Sequence, residues 1–159
     1  MKFYFDFLTL QQNLFSYELA KQGIRVLLCD LDPQANSTQL LNRTYTKQNN
    51  EKLIFDKTMM VAIQEENLDS AIVEVMDNLY LLPSHKDFVD YPDFLEIKFP
   101  ITQPNYKENR IAYFDSLLKP IEENYDLIII DCPPTISKFT DSAIYSSDFI
   151  IIVLQTQQR

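Results

Sequence analysis

Two carboxylates follow an apolar run in the stretch Leu27-Leu28-Cys29-Asp30-Leu31-Asp32-Pro33-Gln34-Ala35-Asn36-Ser37-Thr38. The apolar run extends back to Ile24 and is broken only by Arg25, which suits a parallel strand buried on both faces. Open α/β sheets bind their ligands at the carboxyl ends of such strands. We therefore predict a strand that places Asp30 and Asp32 at a ligand-binding edge.

A second stretch, Leu127-Ile128-Ile129-Ile130-Asp131-Cys132-Pro133-Pro134, repeats this arrangement. It predicts a buried strand that delivers one carboxylate, Asp131, to a loop stiffened by proline. Each pattern also has an ordinary structural explanation. An apolar tetrapeptide that ends in Asp is common, and an Asp-x-Asp pair at a strand end can cap the next turn. Both explanations stay open for each carboxylate.

The composition limits the class of protein. The chain has 159 residues, of which 46% are hydrophobic, and we predict a single domain over residues 1–159. A net charge of -9 opposes autonomous binding to nucleic acid or to anionic lipid. No apolar run approaches the ~18 residues of a membrane span, and no signal peptide is expected. The two cysteines are predicted to be small buried thiols in a cytosolic protein.

The order of apolar and polar residues predicts an α/β fold with a mostly parallel sheet and helices on both faces. The predicted strands are Met1–Leu8, Ile24–Cys29, Leu79–Leu82, Leu127–Ile130 and Phe149–Gln155. The predicted helices are Asn13–Gln22, Thr58–Gln64, Leu68–Val75, Glu108–Glu123 with a kink at Pro120, and Thr140–Ser146.

Three further local features are predicted. Gly23, the only glycine of the chain, is expected to cap the first helix in a left-handed conformation. A helix is expected to begin near Gln39, with Asn36, Ser37 or Thr38 as its cap. The segments Asn42–Glu51 and Phe88–Asn105 are expected to be an exposed loop and an irregular region with a short helix near Phe94.

Together, the two carboxylate motifs resemble those of the ParA/MinD-type deviant-Walker P-loop ATPases, which partition plasmids and chromosomes. The order and separation of the motifs agree with this family. Other stretches that agree are Tyr17-Glu18-Leu19-Ala20-Lys21-Gln22-Gly23, Leu82-Pro83-Ser84 and Val153-Leu154-Gln155-Thr156. The resemblance covers residues 16–159 and implies a P-loop NTPase-like fold that is incomplete at both ends.

The resemblance implies a role for each carboxylate and a cofactor. Asp131 resembles the Walker B aspartate, which holds Mg²⁺ through water, and Asp30 resembles a residue near the same metal. Asp32 resembles the residue that positions or activates the water that attacks ATP, and it is the implied catalytic residue. ATP and Mg²⁺ are thus the implied cofactors, held by a phosphate loop that lies just before the first helix in the family.

The family's phosphate loop has no counterpart in this sequence. Its place is taken by Phe5-Asp6-Phe7-Leu8-Thr9-Leu10-Gln11-Gln12, which has no glycine and no lysine. Side chains at these positions block the close approach of backbone N–H groups to a triphosphate. We therefore expect Walker A to be absent, Asp30 and Asp131 to be vestigial metal ligands, and the chain itself to bind neither ATP nor Mg²⁺. Residues 2–8 are expected to supply the first strand.

These observations predict a truncated ParA-like partition protein that does not hydrolyse ATP by itself. The native start is expected to have been replaced, and the chain is expected to stop where the family continues into its adenine-binding and DNA-binding parts. One alternative is a non-enzymatic interaction protein that pairs with an intact homologue or a centromere-binding partner, and another is a decayed gene product. No direct contact with nucleic acid or membrane is expected, and no metal or acid–base role is proposed for His85, the only histidine.

Overall fold

Six strands form one sheet in the computed structural model, which describes residues 1–6, 9–133 and 135–152. The strand order is β3-β4-β2-β5-β1-β6, and all neighbouring pairs are parallel except β3 and β4. The strands are β1 (Lys2–Asp6), β2 (Val26–Asp30), β3 (Val73–Met76), β4 (Leu79–Leu82), β5 (Leu127–Asp131) and β6 (Phe149–Ile152). The mostly parallel sheet confirms the predicted fold class.

Six α-helices connect and cover the strands. They are α1 (Thr9–Lys21), α2 (Asn36–Asn49), α3 (Met59–Gln64), α4 (Tyr91–Lys98), α5 (Tyr106–Leu118) and α6 (Lys138–Tyr145). Short 3₁₀ turns occupy Leu68–Ala71, Lys86–Asp90 and Glu122–Asn124. None of the helices in the described part of the chain has the length and apolar character needed to cross a bilayer.

The two faces of the sheet carry separate apolar cores, because alternate strand residues point to opposite faces. Leu27 and Ile128 pack with side chains of α3, α4, α5 and α6 on one face. Leu28 and Ile129 pack with side chains of α1 and α2 on the other. The central strands β2 and β5 are buried at every position, which explains their unbroken apolar sequences.

The first strand and the end of the first helix follow the prediction, whereas the helix begins at Thr9 rather than at Asn13. Strand β1 lies between β5 and β6, and the predicted residues Phe7 and Leu8 lie outside the described part of the chain. Helix α1 ends at Lys21, and Gly23 follows with φ +86° while its N–H donates to the Ala20 carbonyl at 2.9 Å. The predicted left-handed glycine cap is confirmed.

The prediction of an exposed loop over Asn42–Glu51 is wrong, because α2 continues to Asn49. The segment is polar in sequence, yet Leu41 and Tyr45 pack one side of the helix against the core. The Thr46 hydroxyl donates to the Asn42 carbonyl at 2.7 Å, so part of its polar character is satisfied within the helix. Packing of one face therefore extends the helix through a polar segment.

The prediction of a helix over Leu68–Val75 is also wrong. A 3₁₀ turn ends at Ala71, and β3 follows, paired with β4 in an antiparallel hairpin. Asn78 has φ +67°, the left-handed conformation that a tight turn requires. Val75 is buried while Glu74 is exposed, so this short apolar segment alternates with the period of a strand.

The remaining differences lie at helix ends. Helix α5 stops at Leu118, before Pro120, so the predicted kink is a helix terminus. Within Phe88–Asn105, the eight-residue helix α4 contains Phe94, so the short helix predicted there is confirmed. Helix α2 begins at Asn36 rather than near Gln39, and its N-terminal cap is Ala35, which has φ 54° and no capping side chain.

Candidate functional site

The carboxylates Asp30 and Asp131 lie side by side at the carboxyl edge of the sheet. They end β2 and β5, which are parallel neighbours, and their Cα atoms are register partners. Asp30 is fully buried and Asp131 is 4% exposed. The pairing of β2 with β5 therefore brings the two carboxylate motifs together at one edge of the sheet.

Asp131 is held by a hydrogen-bonded chain that crosses three elements. The Ser37 hydroxyl on α2 donates to Oδ2 of Asp131 at 2.6 Å. The Asn13 side-chain amide on α1 donates in turn to Oγ of Ser37 at 2.7 Å. All three side chains are buried, so these bonds position the Asp131 carboxylate without competition from water.

Asp30 accepts hydrogen bonds from the start of α2. The backbone N–H and the hydroxyl of Thr38 donate to Oδ2 of Asp30 at 2.8 and 2.7 Å. The backbone N–H of Asp32 donates to Oδ1 at 3.2 Å. Asp30 thus satisfies one of the unpaired N–H groups of the helix N-terminus, where a negative charge is also favoured. Ser37 and Thr38 do not cap α2, because their hydroxyls face the carboxylates.

Burial dominates the electrostatics of this pair. Desolvation, and then the neighbouring Asp131, raise the pKa of Asp30 to about 7, although the bonds from Thr38 and Asp32 act in the opposite direction. Two buried carboxylates in adjacent register positions repel each other when both are charged. Burial beside a second carboxylate therefore favours the protonated form of Asp30.

Asp32 lies at the rim of this cluster and is half-buried. Its Oδ1 accepts the backbone N–H of Gln34 at 2.9 Å, which closes a turn around Pro33. The Nδ2 atom of Asn36 lies 3.5 Å from Oδ2 of Asp32. Asp30 and Asp32 thus both make the turn and cap contacts of the ordinary structural explanation, and the implied roles of Asp30, Asp32 and Asp131 stay predictions.

The connection between β1 and α1 is short. Strand β1 ends at Asp6 and helix α1 begins at Thr9, so two residues separate them. A P-loop of the form G-x-x-x-x-G-K-[ST] needs eight residues at this place.

Comparison with known proteins identifies the family. A family profile described as an AAA domain matches residues 9–159. The chromosome-partitioning ATPase Soj of Thermus thermophilus is 30% identical over 145 residues, which cover 91% of this chain and 48% of that protein. The chain belongs to the ParA/MinD-type family of P-loop ATPases.

Two solved structures share the fold of this chain. A plasmid partition protein from Borrelia burgdorferi superimposes with a TM-score of 0.73 at 22% identity, covering 99% of this chain and 67% of that one. Cobyrinic acid a,c-diamide synthase from Mycobacterium smegmatis, solved with an ATP analogue and magnesium, gives a TM-score of 0.74 at 22% identity over 96% of this chain and 57% of that one. The chain spans about half the length of the curated relatives that it matches.

The site fits the two family cofactors unequally. Asp131, Asp30 and the Ser37 hydroxyl offer oxygen donors of the type that Mg²⁺ prefers. Within the described residues, no group of three or more His, Cys, Asp or Glu side chains could hold a metal ion by itself. The two-residue connection before α1 does not fit a triphosphate, since the eight residues from Phe5 to Gln12 contain neither glycine nor lysine.

Sequence reasoning missed Asn13 as a member of the site. An amide side chain on the buried side of α1 needs hydrogen-bond partners, and this requirement could have pointed to Asn13. The sequence indicated Ser84 only as part of the stretch Leu82-Pro83-Ser84. In the structure, its backbone N–H donates to Oγ1 of Thr38 at 2.9 Å. His85 is exposed, and its Nδ1 atom lies 3.2 Å from a carboxylate oxygen of Asp87. Both cysteines are buried thiols, also as predicted.

Thr38 is the residue that joins α2, β2 and the loop after β4. We expect Thr38→Val to lower the free energy of unfolding by about 2 kcal/mol, because it removes a donor to Asp30 and leaves the Ser84 N–H without its acceptor. Thr38→Ser keeps the hydroxyl and serves as the control. Urea denaturation of the three proteins measures the effect, and equal losses in both variants would contradict a role for the hydroxyl.

Proposed function

We propose that this chain is a ParA-type protein of plasmid or chromosome partition that does not by itself bind or hydrolyse ATP. The observation that carries the proposal is the two-residue connection between β1 and α1. A phosphate loop binds through backbone N–H groups that converge on the β and γ phosphates, and two residues cannot supply this convergence.

The carboxylate cluster supports the same proposal. Asp131 accepts the Ser37 hydroxyl and Asp30 accepts two bonds from Thr38, so both side chains have structural partners. In P-loop ATPases the metal bridges the β- and γ-phosphate oxygens. Without those phosphates, we propose that Asp30 and Asp131 are vestigial metal ligands that now stabilise the start of α2. We further propose a cytoplasmic protein that consists of one domain.

Isothermal calorimetry with Mg²⁺–ATP tests the proposal directly. We expect no binding heat at millimolar nucleotide and no phosphate release from the purified chain. Asp131→Ala is compared with Asp93→Ala, which removes an exposed carboxylate from α4. Binding that disappears in Asp131→Ala and persists in Asp93→Ala would overturn the proposal and restore the enzymatic function.

A second candidate function is a non-enzymatic interaction with an intact homologue or its DNA-binding partner. The observation that favours it is the apolar sheet edge at β6, where Phe149 and Ile150 are 53% and 49% exposed. Ile144 and Tyr145 of α6 are exposed close by in the sequence. An edge strand with unpaired backbone groups and apolar side chains is a template for pairing with another chain.

Capture of an intact homologue by the immobilised chain tests this candidate. We expect Ile150→Lys to abolish capture, whereas Ile97→Lys, on the exposed surface of α4, leaves it unchanged. Failure of the unmodified chain to retain either the homologue or its centromere-binding partner would reject the candidate.

A further inference from the structure

The described Lys and Arg side chains of this acidic protein form two groups, those that make an ion pair with Asp or Glu and those that make none with a described residue. The ion pairs among the described residues engage Lys2, Lys21, Arg25, Lys57, Lys98, Arg110, Lys119 and Lys138. Five described Lys and Arg side chains make no ion pair with another described residue. They are Arg43, Lys47, Lys52, Lys86 and Lys107. All of the second group except Lys107 line two adjoining cavities.

The two cavities form one groove along α2. One cavity, of about 430 Å³, is lined by Gln39, Asn42, Arg43, Thr46, Lys47 and Lys52. The other, of about 610 Å³, shares Gln39 and Asn42 with it and is further lined by Phe55, Ser84, Lys86 and Val89. We call these two connected cavities the α2 groove. Cationic side chains therefore line both halves of it.

Glu51 and Asp87, the acidic neighbours in sequence of Lys52 and Lys86, make no ion pair with these two lysines among the described residues. The carboxylate of Glu51 accepts the Tyr45 hydroxyl at 3.2 Å, and that of Asp87 accepts the Thr58 hydroxyl at 2.5 Å. Arg43 and Lys47 are four residues apart on α2, so they lie on one face of the helix. Two like charges at this spacing repel each other unless an external anion lies between or beside them.

The chemistry of the groove selects between two kinds of anionic partner. Single-stranded nucleic acid is held by aromatic platforms on which the bases stack, and the aromatic side chain of the groove, Phe55, is half-buried against the core. The amide side chains of Gln39 and Asn42 can instead bond to a peptide backbone, and Val89, 60% exposed, offers an apolar contact.

We propose that the α2 groove binds an acidic segment of a partner protein, in which carboxylates meet Arg43, Lys47, Lys52 and Lys86 and small apolar side chains contact Phe55 and Val89. This proposal goes beyond the function proposed above and does not depend on the state of the nucleotide site. Its test is carried out without nucleotide, so that failure of one proposal leaves the other unaffected.

Fluorescence anisotropy with three labelled probes tests the groove on the full chain. The probes are a dodecapeptide of Glu-Glu-Val repeats, the same peptide with Gln at every Glu position, and an oligothymidine of equal length. We expect the acidic peptide to bind best, with an affinity that falls as salt is raised. Tighter binding of oligothymidine, equal binding of the Gln peptide, or no binding of the acidic peptide at millimolar protein would each overturn the proposal.

Charge reversal localises the binding. We expect the double variant Arg43→Glu with Lys47→Glu to weaken binding of the acidic peptide by about tenfold or more. Lys107→Glu reverses another unpaired cation, on α5 and outside the groove, and is expected to leave the affinity unchanged apart from the small effect of net charge. Circular dichroism checks that all variants are folded, and an equal loss of affinity in both charge-reversal variants would overturn the assignment to the groove.

Discussion

The free energy of unfolding is expected to fall by about 3 kcal/mol between pH 5 and pH 8 because of Asp30. Burial and the neighbouring Asp131 raise the pKa of Asp30 to about 7 in the folded state. In the unfolded chain the same carboxyl titrates near its ordinary value of about 4. Between these values the folded state binds more protons, so this stabilisation is complete below pH 4 and is lost as the pH rises through 7.

Urea denaturation at pH 5, 6, 7 and 8 measures this effect, with Asp30→Asn as the control. The amide oxygen of the variant can still accept the two bonds from Thr38, and its side chain carries no charge to bury. We expect a flat profile for Asp30→Asn and a greater stability than the unmodified chain at pH 8. Parallel profiles for the two proteins would mean that Asp30 does not titrate in this range.

Phe114→Ala is expected to lower the free energy of unfolding by about 4 kcal/mol. Phe114 lies on α5, is fully buried, and belongs to the core that joins α5 to β2 and β5. The substitution loses the transfer free energy of an aromatic ring and leaves a cavity that the surrounding strands cannot close. Because domains of this size are stable by only about 5–15 kcal/mol, the variant is expected to lose a large share of its stability.

Ile97→Ala provides the matched control, since Ile97 on α4 is 81% exposed. We expect its effect to stay within about 0.5 kcal/mol. Thermal and urea unfolding of the two variants should give the same ranking. A loss of less than about 1 kcal/mol in Phe114→Ala would contradict the close packing of α5 on the sheet.

The central part of the site could be predicted because its information is local. Each motif combines an apolar strand with a carboxylate at its end, and parallel strands bring their carboxyl ends to one edge. Asp30 and Asp131 accordingly lie at the same edge, whereas their direct register pairing depends on the strand order of the sheet. The absence of glycine and lysine from Phe5–Gln12 can likewise be read directly from the sequence. It matters because a side chain larger than that of glycine hinders the close approach of backbone N–H groups to phosphate.

The partners of the carboxylates could not be predicted in the same way. Ser37 and Thr38 have the residue types of helix caps, and they were expected to cap α2. Their hydroxyls instead donate to Asp131 and Asp30, which lie 94 and 8 residues away along the chain. A short polar side chain bonds whichever acceptor the fold presents, so its partner is set by tertiary contacts.

The sequence by itself determined the parallel sheet, the strands β2, β4 and β5, the glycine cap of α1 and the two carboxylates at the sheet edge. These features depend on unbroken apolar runs and on backbone preferences, which act over a few residues. Only the tertiary structure decided that Val73–Met76 is a strand, that α2 continues to Asn49, and that four unpaired cations share one groove. Short or polar segments have weak local preferences, so the neighbours against which they pack determine their structure.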